Sequence, residues 1–403
     1  MPWTVNEPVV SIRKELYEKH PSPECAPCVC ECYVGPGLER WQIHAFESVS
    51  DVWDEVNERF SEDNGRTWSE YRPVPNANRT LKGILVQEGG GARFYDVSAG
   101  VLLEAWVRVI RQGAAYNSHS YFHISRDQGR SWTALKQLRY EDGEDFDAGD
   151  PLKQGYITKN QGTPTGIIRH SNRAILVCVG HANAPDDPDN EARPEKYGAM
   201  CFIGRWNSNT NDYDWIAGNR ISGSPRITSR GMAEPAIAEL KDGGVLMLLR
   251  GSDTPETPGR RWYAVSSDGG MTFGDIRELT YDDGSSFYTP STMCGLIRHS
   301  ATGKLFYVGN ISPVPPKGNW PRYPLIIAEV EEKIPALQRD TVTVIDDRQP
   351  GQSDQIQFSN FSLLENRETH ELELLITLYG ERPGEHWATA DCYKYWLSVL
   401  PDQ

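Results

Sequence analysis

A short string recurs three times along this chain and limits what the chain can fold into. It reads SEDNGRTW from Ser61 to Trp68, SRDQGRSW from Ser125 to Trp132, and SSDGGMTF from Ser266 to Phe273. The shared Asp can accept hydrogen bonds from backbone N–H groups a few residues on, and the Gly can adopt a conformation that side chains disfavour. The aromatic residue can then pack under the turn. Each copy therefore predicts a turn between two β-strands rather than a catalytic motif.

The spacing of these turns predicts the architecture. Ser61 and Ser125 are 64 residues apart, and Ser266 follows 141 residues later, which is about two further units. A repeat of about 65 residues fits the 403-residue chain about six times, and strand-like stretches such as AILVCVGHA and KLFYVGNI recur in step. Helical periodicity is weak except around Ser11 to His20. Repeats of this kind build propellers or solenoids.

We therefore expect an all-β fold, a six-bladed β-propeller that forms a single domain over residues 1–403. The first 20 or so residues read as an N-terminal extension. The C-terminal strand, Cys392 to Leu400, is expected to lie beside N-terminal residues and to close the last blade.

Charge and hydropathy narrow the classes of partner. A formal net charge of −15 argues against nucleic acid, because phosphate binding needs a basic face. No apolar run approaches the length of a membrane helix, and the N-terminus lacks the apolar core of a signal peptide, so we expect a cytoplasmic protein without a membrane partner. A small anionic substrate is compatible with this charge, since a few Arg in a pocket act locally. The composition leaves the oligomeric state open.

Four of the eight cysteines are concentrated in CAPCVCEC, Cys25 to Cys32. Cys28, Cys30 and Cys32 alternate, so on a strand they share one face, where thiols do not easily surround a tetrahedral ion. No second C-x-x-C or H-x-x-x-H pair follows. We favour core packing, with zinc binding and disulfide or redox chemistry as alternatives, and we expect neither a metal nor a cofactor.

The recurring string resembles the Asp-box, or BNR repeat, of the sialidase (neuraminidase) superfamily. In that family the boxes lie on the propeller periphery, away from the active site, so they bear on fold more than on activity. A second stretch, AEPAIAELKDGGVLMLLRG, is similar to the sialidase segment in which a Glu opens a strand and an Arg ends the next. The resemblance implies that Glu234 polarises a nucleophilic Tyr and that Arg250 is one of three Arg that bind the sialic acid carboxylate.

Two further segments extend the resemblance. GNWPRYPLIIAEV resembles the later segment that carries another carboxylate-binding Arg, which implies this role for Arg322. HAFESVSDVWDEVNERFS resembles the segment of the acid/base residue, which implies Asp51 as the general acid with Asp54 as its rival. These residue types suit the chemistry, because guanidinium groups pair bidentately with carboxylates and a carboxylic acid can protonate a leaving group.

The chain departs from the family pattern at two positions. The first Arg of the family is matched by Cys25 in ECAPCV, and the nucleophilic Tyr by Phe358 in QFSNFSLLE. With these replacements the carboxylate clamp loses one arm and the covalent nucleophile is absent, so the usual sialidase mechanism fails. Tyr288 and Tyr323 are possible substitutes for the phenol, and Tyr288 is a candidate substrate-binding residue.

Two histidine-containing segments are the other candidates for chemistry. His119, Tyr121 and His123 alternate along a strand, an arrangement that would suit proton abstraction from a uronic acid, although half-buried structural rings are the favoured interpretation. His181 ends a strand and enters a Pro/Asp-rich loop, where propeller sites gather residues, so it is a candidate for substrate binding or for a strand cap.

The sequence thus favours an exo-acting, sialidase-like glycoside hydrolase for an anionic or unusual sugar. Asp51 and Glu234 are its catalytic candidates, and the binding candidates are Arg250, Arg322, His181 and Tyr288. The alternatives are a polysaccharide lyase that acts on uronate-containing glycans and a glycan-binding propeller without catalysis. All three place a carbohydrate in the concave mouth of the propeller.

Overall fold

The computed structural model describes residues 8–74, 78–113, 115–184 and 196–401. Within these ranges the chain forms 27 β-strands, which assemble into six small antiparallel sheets. The sheets stand in a ring as the blades of a six-bladed β-propeller, which confirms the expected all-β fold class. The Pro/Asp-rich loop after His181 falls on residues 185–195 and lies outside the described residues.

The strands follow one another blade by blade. Strand β1 (Val10–Glu18) precedes the first blade and belongs to the last. The first blade contains β2 (Ala26–Tyr33), β3 (Arg40–Val49), β4 (Val52–Ser61) and β5 (Arg72–Pro73). The second contains β6 (Asn78–Leu81), β7 (Ile84–Asp96), β8 (Val101–Gln112), β9 (Ala115–Ser125) and β10 (Lys136–Gln137). The third contains β11 (Thr163–Arg169), β12 (Ile175–Asn183), β13 (Tyr197–Asn207), β14 (Asp212–Ala217) and β15 (Ile221–Ser222).

The second half of the ring follows the same plan. The fourth blade contains β16 (Ala233–Glu239), β17 (Val245–Arg250), β18 (Arg261–Ser266) and β19 (Arg277–Glu278). The fifth contains β20 (Gly295–Arg298), β21 (Leu305–Asn310), β22 (Leu325–Glu331), β23 (Ala336–Leu337) and β24 (Thr343–Asp346). The sixth contains β25 (Ser362–Glu365), β26 (Leu372–Thr377) and β27 (Cys392–Val399), with β1 as its outer strand.

Helices contribute little to the described part of the chain, where α1 spans Gln154–Ile157 and a 3-10 helix spans Arg339–Thr341. No helix in the described ranges is long and apolar enough to span a membrane.

The second strands of the blades explain the apolar stretches in the sequence. Every residue of β17 (VLMLLR), β21 (LFYVGN) and β26 (LELLIT) is buried. Each of these strands lies between two neighbouring blades, so both of its faces pack against other sheets and the sequence reads as a nearly continuous apolar run. Inner strands of successive blades contact one another around the ring, and β2 contacts β25, which closes it.

The ends of the chain meet in the last blade. Strand β1 pairs antiparallel with β27, with Val10 opposite Val399 and Lys14 opposite Tyr395. The helical periodicity around Ser11 to His20 is therefore wrong as a guide to structure. Pairing with β27 along nearly the whole segment overrides local propensity.

The three recurring turns have the same hydrogen bonds. Ser61 Oγ donates to Asp63 Oδ1 (2.9 Å), the backbone N–H of Thr67 donates to the same oxygen (2.8 Å), and the N–H of Gly65 donates to Ser61 Oγ (2.8 Å). Gly65 has a φ of +82°, which a side chain would strain. Equivalent bonds surround Asp127 and Asp268. The turns follow β4, β9 and β18, so they lie at the face opposite the β3–β4, β8–β9 and β17–β18 connections.

The cysteines are free thiols in this fold. Cys28, Cys30 and Cys32 lie on β2, as the alternation predicts, and Cys178 lies opposite Cys201 between β12 and β13. Among the described residues, no group of three or more His, Cys, Asp and Glu side chains is placed to hold a metal ion.

Candidate functional site

A cavity of about 550 Å³ opens at the face where second strands connect to third strands. Its lining comes from four blades: the first, fourth, fifth and sixth. The turn between β3 and β4, the start of β16, the end of β17 and the loops β21–β22 and β26–β27 all contribute. The cavity lies on the face opposite the three recurring turns, as expected if those turns serve the fold.

Four of the six candidate site residues line this cavity: Asp51, Glu234, Arg250 and Arg322. The other two do not line it. His181 lies near Arg250 and Glu234, and the charges of both residues act on its imidazole. The centroid of its ring is 6.5 Å from that of Tyr116. Tyr288 lies under the Arg260 guanidinium, 4.5 Å from the ring centroid, outside the cavity lining.

Glu234 and Arg250 form an ion pair with Oε1 and Nη1 2.6 Å apart. Glu234 stands at the start of β16 beside a bulge, with a φ of +44° that is costly for a non-glycine residue. Its second oxygen, Oε2, is buried and has no hydrogen-bond partner among the described residues. Burial alone would raise the pKa of Glu234, but Arg250, His181 and Arg322 lower it, so the carboxylate stays ionised.

Arg322 is held by its neighbours yet keeps part of its guanidinium unpaired. Its carbonyl accepts from the backbone N–H of Phe358 (3.0 Å), and its Nη1 donates to Gln357 and to Ser359 Oγ (3.2 Å). The Nε of Arg322 is buried, and no hydrogen-bond partner for it lies in the part of the chain that the structure describes. Burial, with Arg250 and Arg230 nearby, lowers the pKa of Arg322 to about 10 despite Glu234 and Asp51. At neutral pH the group is a cation.

Arg230 contributes a further guanidinium to the cavity, and the sequence analysis missed it. It lines the same cavity and donates to Asn319 Oδ1 (2.7 Å). In the described part of the chain, neither Arg230 nor Arg322 forms an ion pair with a carboxylate. The cavity therefore presents two cations that can pair with an anionic ligand.

Asp51 reaches the cavity from the tip of the turn between β3 and β4, with a φ of +60°. Its backbone N–H donates to Glu47 Oε1 (2.6 Å) and its carbonyl accepts from Arg111 Nη2 (2.6 Å). The carboxylate accepts a 3.4 Å hydrogen bond from Ser50 Oγ and has no ion pair within the described ranges. The turn is thus held through its backbone, which leaves the side-chain carboxylate available to a ligand.

Glu47 and Tyr379 form a buried pair in the same cavity, and the sequence analysis missed both. The Tyr379 hydroxyl donates to Glu47 Oε2 (2.7 Å). Burial raises the pKa of Glu47, although the hydrogen bonds from Tyr379 and Asp51 oppose this, and burial also raises the pKa of Tyr379. Glu47 stands four residues before Asp51 and Tyr379 follows the apolar run of β26, but neither position carries a motif.

The segment QFSNF presents different residues to the cavity from the one that was expected. Phe358 is 1% exposed and packs in the core between the fifth and sixth blades with Phe306 and Ile376. Gln357 and Asn360 of this segment line the cavity instead. The segment therefore supplies amides where a cavity-facing ring was expected. Cys25 and Tyr323 are not among the lining residues either.

The lyase hypothesis rests on strand β9, which carries His119, Tyr121 and His123, and all three side chains are buried. His119 is fully buried, its Nε2 contacts the Tyr156 carbonyl (3.0 Å), and its ring stacks on Tyr156 at 4.0 Å. Burial lowers the pKa of His119 to about 3. His123 pairs with Glu104 and stacks on Trp132. These histidines support the second blade and do not line the cavity.

Comparison with solved structures finds six-bladed propellers, among them many sialidases. A protein of unknown function from Dyadobacter fermentans superposes with a TM-score of 0.62 at 15% identity, over 96% of this chain and 99% of that chain. The NanB sialidase of Streptococcus pneumoniae gives 0.56 at 10% identity, over 97% of this chain and 70% of that chain. The α-L-arabinanase of Penicillium chrysogenum, complexed with arabinobiose, gives 0.54 at 13% identity, over 97% and 99%.

At these identities the likeness shows the fold. No protein-family model matches the chain, and no curated protein matches it. The identification of the three turns as Asp-boxes therefore stays a prediction.

Proposed function

We propose that this protein is an exo-acting glycoside hydrolase that removes a sugar bearing a carboxylate. The observation that carries the proposal is the pair of guanidinium groups, Arg322 and Arg230, which line the cavity without a carboxylate partner in the described ranges. A planar guanidinium pairs with a carboxylate through two parallel hydrogen bonds. These two guanidinium groups can attract an anionic sugar locally even though the whole chain carries −15.

Arg250 and Glu234 have complementary parts in this proposal. Their ion pair fixes both side chains in the cavity. The ionised Glu234 stabilises the positive charge that develops on the sugar ring as the glycosidic bond breaks. Arg250 adds to the cationic surroundings of the substrate carboxylate while it holds Glu234 in place.

Asp51 and Tyr379 supply the bond-breaking chemistry in this proposal. Protonated Asp51 gives its proton to the glycosidic oxygen, so that the leaving group departs as an alcohol. Tyr379 attacks the anomeric carbon while Glu47 takes the phenolic proton across their hydrogen bond. Water then hydrolyses the glycosyl-tyrosine bond, with Asp51 as the base, and Glu47 returns the proton to Tyr379.

An activity screen on purified protein tests the proposal. The panel contains aryl glycosides of sialic and uronic acids, matched neutral sugars including arabinosides, and uronate-rich polysaccharides. Products are measured as reducing sugar and as ultraviolet absorbance from a new double bond. We expect reducing sugar from acidic glycosides without absorbance, and at least a hundredfold loss in Asp51→Asn and in Glu234→Gln.

Asp54→Asn is the matched control, since Asp54 lies in the same hairpin, is exposed and does not line the cavity. Arg322→Met tests the substrate class, because it should raise KM for acidic sugars and leave any neutral substrate unaffected. If Asp51→Asn still produced the ultraviolet absorbance of a new double bond, the reaction would be β-elimination instead of hydrolysis. Saturable sugar binding without turnover would identify a binding propeller.

A further inference from the structure

A groove of about 550 Å³ lies on the second blade, and the proposed function does not use it. Its lining comes from β8, β9, β10 and the residues that flank β10, and none of these residues lines the candidate cavity. Strand β10 is the last strand of its sheet, whereas β7 contacts the inner strands β2 and β11 of the neighbouring blades. The groove, called the outer groove below, is therefore on the periphery of the ring.

The floor of the outer groove is aromatic. Phe146 is the one aromatic residue in the acidic segment EDGEDFDAGD, residues 141–150, and its side chain is half-buried. The Phe146 ring lies 4.1 Å from the Arg108 guanidinium and meets Tyr156 edge-on, with centroids 5.5 Å apart. Arg108 Nη1 in turn donates to the hydroxyl of Tyr121 (2.9 Å). These contacts fix the Phe146 ring on one side, and the rest of it lines the groove.

Polar side chains form the rim of the outer groove: Lys136, Gln137, Arg139 and Asp145. Arg139 pairs with Asp145, and Lys136 pairs with Asp212 of the third blade. The side chains of Asp145 and Lys136 are 95% and 57% exposed, and ion pairs at such positions stabilise a fold little. Gln137 accepts from Arg139 Nε (3.3 Å), and its amide N–H groups have no partner among the described residues. The rim therefore offers both donors and acceptors to a ligand.

The loop that carries Phe146 is held in place through its backbone. Arg139 Nη1 donates to the carbonyl of Gly143 (3.0 Å), and the N–H of Glu144 donates to the carbonyl of Gly155 (2.8 Å). The outer groove is thus formed before a ligand arrives, and binding does not have to order this loop.

Charge decides between the classes of ligand. The segment 141–150 contains six carboxylates, which repel a polyanion. The rim cations Lys136 and Arg139 are already paired with acids, so they do not offset this repulsion. A nucleic acid and a chain of uronates are therefore disfavoured. A neutral sugar matches the lining, because its C–H faces suit the aromatic floor and its hydroxyls suit the mixed donors and acceptors of the rim.

We propose that the outer groove binds neutral sugar units of a glycan chain. A sugar ring packs on Phe146 and Leu135, and its hydroxyls form hydrogen bonds with Lys136, Gln137 and Asp145. The site binds without catalysis. It is independent of the chemistry in the cavity, since the two share no lining residue.

Affinity electrophoresis of the full chain tests the proposal. Native gels contain one soluble neutral polysaccharide each: arabinan, arabinoxylan, glucomannan or xyloglucan. We expect retardation of the wild type in at least one of these gels. Phe146→Ala removes the ring of the floor and Gln137→Ala removes an amide of the rim, so each should lower the apparent affinity severalfold. Gln349→Ala, an exposed amide outside the groove, should bind like the wild type.

Two further gels separate the outer groove from the cavity. Any retardation by polygalacturonate should be unchanged in Phe146→Ala, because the acidic segment disfavours uronates at the outer groove. Retardation by a neutral polysaccharide should persist in Arg322→Met. Gln137→Ala leaves the floor in place, so it keeps the test valid if Phe146→Ala distorts the loop. The proposal would be overturned by the absence of retardation in every neutral gel, or by retardation that Arg322→Met abolishes and both groove variants retain.

Discussion

The hydroxyl of Tyr379 lies 2.7 Å from Oε2 of Glu47, and this hydrogen bond joins the sixth blade to the first. The other oxygen of Glu47 accepts the backbone N–H of Asp51 at 2.6 Å. One carboxylate therefore connects a cavity-lining phenol to the turn that carries the proposed general acid. The connection crosses the seam at which the two ends of the chain close the propeller.

Replacing Tyr379 by Phe removes the hydroxyl and keeps the ring that packs against Trp387. If Tyr379 is the nucleophile, Tyr379→Phe should lower kcat at least a hundredfold and change sugar affinity only a few-fold. Steady-state kinetics and equilibrium binding on the same acidic glycoside measure the two effects. Tyr323→Phe, outside the cavity lining, is the control and should retain full activity. Full activity in Tyr379→Phe would instead indicate direct attack by water.

Glu47 should make stability depend on pH in a defined direction. Burial raises its pKa in the folded state, so the folded protein holds this proton more tightly than the unfolded chain does. The stabilising contribution is complete below the unfolded pKa and is lost as pH rises through the folded pKa. Glu47→Gln keeps the shape of the side chain without its charge. The Tm of Glu47→Gln minus the Tm of wild type should therefore increase by about 2 °C from pH 4 to pH 8.

Thermal unfolding at several pH values measures this difference. Glu55→Gln is the matched control, because Glu55 is exposed on the neighbouring strand β4 and should show no such gain. A constant difference in Tm between Glu47→Gln and wild type across this pH range would show that Glu47 does not titrate there.

The distance between interacting residues along the chain decides how much the sequence could predict. The turn at Asp63 was predictable because its hydrogen bonds are made within four residues. Glu234 and Arg250 were found because the single segment that carries both resembles a sialidase segment, and in the structure one antiparallel hairpin holds that segment. Glu47 and Tyr379 are 332 residues apart, and they meet only because the ring closes. No local pattern reports that contact.

The segment around Phe358 shows a second limit. A shift of a residue or two in an alignment changes which side chains face the cavity and which face the core. Phe358 is in the core, and Asn360, two residues later, lines the cavity with a φ of +60°. The sequence resemblance pointed to a segment that lines the cavity, but it could not determine which of its residues point inward.

A buried charge network at the same seam should control acid stability. Arg40 is 1% exposed, and its Nη1 lies 2.7 Å from Glu373 Oε2, while Lys394 Nζ lies 2.8 Å from the same oxygen. Burial would raise the pKa of Glu373, but Arg40 and Lys394 lower it to about 2 from an ordinary 4.5. The stabilisation is therefore present above the unfolded pKa and is lost as pH falls from about 4.5 to about 2.

Glu373→Gln leaves Arg40 buried without its main counter-charge, so we expect a loss of about 3 kcal/mol in the free energy of unfolding at pH 7. The loss should shrink as pH falls from 4.5 toward 2, since wild type then protonates the same group. Urea unfolding at pH 7 and pH 3 measures both values. Glu15→Gln, in an exposed pair with Arg13, should change stability little at either pH. An equal loss for Glu373→Gln at both pH values would argue against the network.

The recurring turns should support the fold without touching the chemistry, and Asp127 tests this separation. Asp127 Oδ1 accepts from Ser125 Oγ (2.7 Å) and from the backbone N–H of Ser131 (2.8 Å). Burial would raise the pKa of Asp127, but these bonds lower it to about 2.

Asp127→Ala removes the acceptors, so we expect a loss of about 1 kcal/mol in the free energy of unfolding, by analogy with side-chain caps. Because the turn lies on the face opposite the cavity, kcat and KM below the unfolding temperature should stay at wild-type values. Asp142→Ala, an exposed loop acid, should change neither quantity. A lower kcat in Asp127→Ala with an unchanged free energy of unfolding would mean that these turns serve the site rather than the fold.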